Sequence, residues 1–130
     1  MKQPAQVSGN LEIVGDCACY CPAGNVTLDQ AVDLIDQALT YARDSQIPKL
    51  FVNAQGLVGF PSPSLPERYF ICRRWALTGQ SKVQFALVVR AEMIDPEKFG
   101  VIVARKLGMN VDAFTDESEG LDWLLGRRDK

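Results

Sequence analysis

The residues best placed to do chemistry lie in Gly59-Phe60-Pro61-Ser62-Pro63-Ser64-Leu65-Pro66-Glu67-Arg68, which brings two hydroxyls, three prolines and an arginine to the expected start of a helix. A helix N-terminus has unsatisfied N–H groups and the positive end of the macrodipole, so it favours anions. Ser64 and Glu67 have the spacing of a capping box, which gives Ser64 a structural role as the N-cap. Ser62 has no such duty in the sequence and is the stronger switch candidate: a phosphate there would meet the positive end of the dipole. Arg68, one turn into the helix, could reach an anion held by the loop; otherwise it is an ordinary exposed arginine. Prolines fix φ, which favours a preformed site over a mobile lid. Phe60 and Tyr69 are expected to pack the loop against the body.

A second cluster follows Asp95-Pro96-Glu97, an N-cap signal with proline in the first turn, and includes Lys98 and Phe99. Thr115 and Asp116 follow the last expected strand. In a parallel sheet these segments share one end with the Ser62 loop, where ligands of open α/β sheets bind. Asp95 also has the plainer reading of a helix cap.

Cys17, Cys19 and Cys21 alternate along an expected strand and share a face. The physical options are a stripe of small buried side chains, a thiolate metal site or a redox sensor. Metal motifs usually set two ligands on a turn, so the structural reading is favoured and no metal or other cofactor is expected. Cys72 falls on the apolar face of its helix and reads as core.

The chain has no histidine, which excludes Ser-His-Asp and Cys-His arrangements, histidine-ligated zinc and histidine acid–base catalysis. With no nucleophile motif either, no catalytic residue is assigned and an enzyme is not expected. The 130 residues, 47 % hydrophobic and 23 % charged, suit one soluble globular unit. The net charge of −2 argues against nucleic acid as a partner. Its distribution is uneven: residues 68–106 carry 8 basic and 3 acidic side chains between two acidic flanks. That pattern fits either solvated helix faces or a local surface for an anion or acidic partner. No apolar run is long enough to span a membrane, and the N-terminal residues lack the apolar stretch of a secretory signal, so a cytoplasmic protein is expected.

The elements that must position these groups follow from periodicity and punctuation. Leu11 to Val14 and Cys17 to Cys21 form a hairpin about Gly15-Asp16. Thr27 and Gln30 cap a helix whose Leu28, Ala31, Val32, Ile35, Ala38, Leu39 and Ala42 share a face. A short strand follows Pro48, and the Ser64-capped helix is expected over 65–79. Val83–Val89 reads as a buried strand, the Asp95 signal opens a helix closed by Gly108, and Val111–Phe114 leads into a helix capped by Asp116. The order β-β-α-β-α-β-α-β-α specifies an α/β fold with a mostly parallel sheet and an antiparallel hairpin edge. Residues 9–126 are expected to be one domain between tails at 1–8 and 127–130. The exposed hairpin edge is compatible with a homodimer.

With its serine-bearing loop after the third strand, this order resembles the STAS domain of bacterial anti-sigma-factor antagonists. It is more similar to small bacterial proteins described as SpoIIAA-like or STAS/SEC14-like. The motifs that carry the resemblance are Gly56-Leu57-Val58-Gly59-Phe60 with Ser62 to Tyr69, Glu92 to Gly100, and Val111 to Glu117 leading to Leu121-Asp122-Trp123-Leu124. The resemblance implies a non-enzymatic regulatory module that binds an unidentified protein partner through residues 59–75. It also implies that the phosphoacceptor role falls to Ser62 or Ser64. The SEC14-like side implies an alternative, a binder of a small anion or lipid in the crevice between the helix starts at 62–69 and 95–100. An apolar pocket bounded by Phe60, Tyr69, Ile94 and Phe99 would favour that alternative, and a flat surface would favour the protein partner.

Overall fold

A computed structural model of the chain describes residues 9–94 and 96–126. In chain order the elements are β1 (Leu11–Val14), β2 (Cys17–Tyr20), β3 (Ala23–Asn25), α1 (Leu28–Asp44), β4 (Lys49–Asn53), β5 (Gly56–Val58), α2 (Leu65–Gly79), β6 (Gln84–Val88), a 3₁₀ turn (Ala91–Met93), α3 (Phe99–Lys106), β7 (Asn110–Phe114) and α4 (Glu117–Leu125). The main sheet runs β1-β2-β4-β6-β7, antiparallel at β1–β2 and parallel elsewhere. Each crossover from β2 to β7 steps the same way across the sheet. With one handedness, α1, α2 and α3 therefore share a face.

Strand alternation divides the core in two. Ala18, Leu50, Val52 and Phe85 point toward α1–α3. Cys17, Phe51, Ala86, Val88 and Phe114 point the other way and are covered by α4 through Leu124. The caps act where their spacing places them. Thr27 and Gln30 exchange hydrogen bonds at the start of α1, and Asp116 Oδ2 accepts from the Glu119 amide at 3.0 Å. On the inner side of α2, Trp75 Nε1 donates to the Val32 carbonyl of α1 at 3.3 Å.

Two features differ from the sequence expectation. The segments around Gly24 and Gly56 are not plain turns: β3 and β5 pair in parallel as a small second sheet, anchored by the buried Leu57. Three-residue strands are too short to show alternation. The third crossover helix starts at Phe99 rather than at the Asp-Pro-Glu signal. Pro96 and Glu97 lie in a turn, and Lys98 takes the N-cap position with φ +52° in the left-handed region. Asp95 lies outside the described residues, as do the expected tails at 1–8 and 127–130. Among the described residues no helix is long and apolar enough to cross a membrane.

Candidate functional site

The chain leaves β5 through Gly59, whose φ is +106°. A Cβ there would sit 2.4 Å from Asn25 Oδ1 and 2.7 Å from the Val26 carbonyl oxygen. Only glycine lets the strand turn this closely over β3. Phe60 then packs inward against the core. The prolines carry the chain across to α2, where Ser64 Oγ accepts from the Glu67 amide at 3.3 Å and Glu67 Oε1 accepts from the Ser64 amide at 2.8 Å. The capping box is complete.

Ser62 has a partner that the sequence did not reveal. Its exposed hydroxyl donates to the Glu92 carbonyl oxygen at 2.6 Å, tying the loop to the 3₁₀ turn after β6. Arg68 makes a parallel tie: Nε donates to the Pro63 carbonyl at 3.1 Å and Nη1 to the Met93 carbonyl. Two loops from different crossovers are thus joined by one hydroxyl and one guanidinium. Among the described residues Arg68 has no carboxylate partner, and it donates to carbonyl oxygens.

Behind this junction, between α1–α3 and the sheet, lies an apolar cavity of about 140 Å³. Its origin is small side chains on facing elements: Ala31 of α1, Gly100 and Ala104 of α3, and Ala113 of β7 all line it. Gly100 also fixes how α3 crosses α2, since a Cβ there would meet Cys72 Sγ at 2.9 Å. The void shows on β6, where Leu87 is only half-buried between the buried Ala86 and Val88. Arg68, Arg90 and Lys98 also line the cavity. Arg90 pairs with Glu92 at 3.1 Å and Lys98 with Asp112 at 2.9 Å.

The expected crevice is assembled only in part. Phe60, Ile94 and Lys98 line the cavity with Arg68, whereas Tyr69 and Phe99 do not. Tyr69 is turned outward, 40 % exposed, in an edge-to-face contact with Phe70 at 5.3 Å, so it does not pack the loop against the body. Thr115 is exposed and away from the cavity; its carbonyl accepts from Gln55 Nε2 at 2.8 Å, a contact that pins the ends of β4 and β7. Arg90 was not singled out in the sequence. Its signal was a cation directly after a buried strand, at the carboxyl end where ligands gather. Cys17 is buried and Cys19 half-buried, their sulfurs 3.8 Å apart, and burial pushes the Cys17 thiol up to about 12, with Cys19 adding to the shift. That is a protonated, unreactive thiol. Cys21 lies beyond β2 and is exposed; Cys72 packs half-buried against the core. Among the described residues no cluster of cysteines and carboxylates could hold a metal ion.

A mostly parallel sheet with an antiparallel first pair, three helices on one face and a serine loop leading into α2 define a SpoIIAA-like, or STAS, fold. An anti-sigma factor antagonist from Mycobacterium paratuberculosis superposes with a TM-score of 0.56 at 13 % identity, over 96 % of this chain and 99 % of its own. A DUF3478 protein with a SpoIIAA-like fold from Shewanella loihica superposes with a TM-score of 0.52 at 18 % identity, over 95 % of this chain and 98 % of its own. No protein-family model and no curated protein matches the sequence.

Proposed function

We propose that the chain is a non-enzymatic, cytoplasmic regulatory module that docks a protein partner through residues 59–75, with Ser62 as its control point. The observation that carries this reading is the outer face of α2. Leu65 is 54 %, Tyr69 40 %, Phe70 64 % and Leu77 62 % exposed, on the helix that begins at the Ser62 loop. Contiguous exposed apolar side chains mark interaction surfaces, and aromatic residues anchor them. The shared fold with an anti-sigma factor antagonist, a protein that acts on another protein, supports a protein partner. Both serines are exposed; Ser64 Oγ serves as the helix cap, whereas Ser62 Oγ ties the loop to Glu92, so modification of Ser62 would act on that tie rather than on the helix start.

The test is site-specific photocrosslinking in the host. A crosslinker at Phe70 should capture one protein, and the same group at Val14, 64 % exposed on β1 at the far edge, should not. Purified partner should then bind the unaltered chain and fail to bind Phe70→Asp. Equal capture from both positions would sink the docking surface.

A second reading, a pocket for a small anion or lipid, is favoured by the cavity. It does not compete for the same surface, because the cavity lies on the inner side of α2.

A further inference from the structure

We infer that the cavity is a binding pocket for a small amphiphilic carboxylate, with its apolar body between α1–α3 and the sheet and its carboxylate on Arg68. This rests on the second reading above and specifies its ligand class.

The size of the body follows from volume. An engineered apolar cavity of about 150 Å³ stays dry and binds benzene. A cavity of about 140 Å³ with aliphatic and aromatic walls therefore suits an apolar body of about six to eight carbons. Leu87 and Ala113 of the sheet and Val101 and Ala104 of α3 line it, so on these two sides the body meets only aliphatic side chains.

The head follows from charge. Three cations line the cavity, but two already have carboxylate partners, Arg90 in Glu92 and Lys98 in Asp112, which Lys98 shares with Arg105. Among the described residues Arg68 alone of the three has no carboxylate partner. Nε and Nη1 are held by the Pro63 and Met93 carbonyls, which fixes the guanidinium in place and leaves Nη2 to donate. One charge and one free nitrogen fit a monoanion. A phosphate dianion would need more donors than one guanidinium nitrogen supplies. Arg68 is thus preorganised and pinned beside apolar walls, where a charge-assisted hydrogen bond counts for more than in water.

The test uses the full chain with three probes: octanoate, octanol and inorganic phosphate, followed by calorimetric titration. Octanoate should bind more tightly than octanol, and phosphate should neither bind nor displace octanoate. Arg68→Gln should weaken octanoate on the order of tenfold or more and leave octanol unchanged. Ala104→Leu should fill the cavity, raise the melting temperature and remove both ligands. Should either variant fold poorly, nuclear Overhauser contacts from octanoate to the Leu87 and Val101 methyls of the unaltered chain locate the ligand directly. Octanol binding as tightly as octanoate would overturn the carboxylate assignment while keeping the pocket. Displacement by phosphate would overturn the amphiphile. Failure of both octanoate and octanol to bind would overturn the pocket as well.

Discussion

Ser62 Oγ donates to the carbonyl oxygen of Glu92 at 2.6 Å, so an exposed hydroxyl is also a clasp between two loops. The loop after β5 and the turn after β6 belong to successive crossovers, and Arg68 bridges them a second time through Pro63 and Met93. Together the two ties border the cavity.

Phosphorylation of Ser62 removes the donor, because the esterified oxygen has no proton to give. It also places about −2 charge beside a backbone carbonyl. The clasp should open. Amide hydrogen exchange at Met93 and Ile94 should quicken in protein carrying phosphoserine at 62. Ser62→Ala should show the same local change and lose roughly 0.5–1.5 kcal/mol in urea unfolding. Ser62→Thr keeps the hydroxyl and should behave as the unaltered chain. Unchanged exchange in the phosphorylated protein would remove Ser62 as a control point.

Gly59→Ala tests whether the turn into the loop is as tight as the geometry requires. The left-handed φ costs roughly 1–3 kcal/mol for a residue with a Cβ. The 2.4 Å approach to Asn25 Oδ1 adds a steric penalty that the Val26 carbonyl prevents the chain from relieving. Chemical denaturation should show a loss of at least that size, and the Asn25 and Val26 amides should shift. A neutral substitution would mean that β3 and β5 are not held in this register.

Much of this architecture was legible because local signals were redundant. Thr27 with Gln30, Ser64 with Glu67, and Asp116 each paired a capping side chain with an apolar run, and α1, α2 and α4 begin where those pairs place them. Asp-Pro-Glu misled because a helix-start signal describes local preference only, and Lys98 in a left-handed conformation delays α3 to Phe99. The site was harder to see. Its cavity is made of small residues on three different elements, and no periodicity reports a missing side chain. Arg68 stood out for its charge, yet its partners are carbonyls, which every residue has. Tyr69 looked like packing, but α2 turns it outward.

Cys17 should make stability sensitive to alkali. Its folded value of about 12, raised first by burial and then by Cys19, lies above the ordinary 9.0. Between those values the unfolded thiol releases its proton while the folded one keeps it, so stability falls as pH rises through that window. Below pH 9.0 both states are protonated and the group adds no slope. Urea midpoints should therefore decline above pH 9.0, and Cys17→Ala should flatten the decline. A smaller slope should persist from Cys21, whose thiol burial also raises, with Glu117 adding to it. An unchanged slope in Cys17→Ala would show that this thiol is not buried against its neighbours as described.

Phe70→Asp separates docking from folding. Phe70 is 64 % exposed and its ring contact is with Tyr69, itself 40 % exposed, so little core depends on it. Surface changes of this kind usually stay within about 0.5 kcal/mol. Unfolding of Phe70→Asp should therefore match the unaltered chain, and octanoate, held on the inner side of α2, should bind as before. Partner capture should disappear, because a carboxylate would have to be desolvated against the apolar anchors of the interface. Leu77→Asp, two turns further along α2, should fold equally well. Whether it also loses the partner measures how far the footprint extends beyond residue 75. If Phe70→Asp loses stability and octanoate together with the partner, α2 is read wrongly as having separate outer and inner faces.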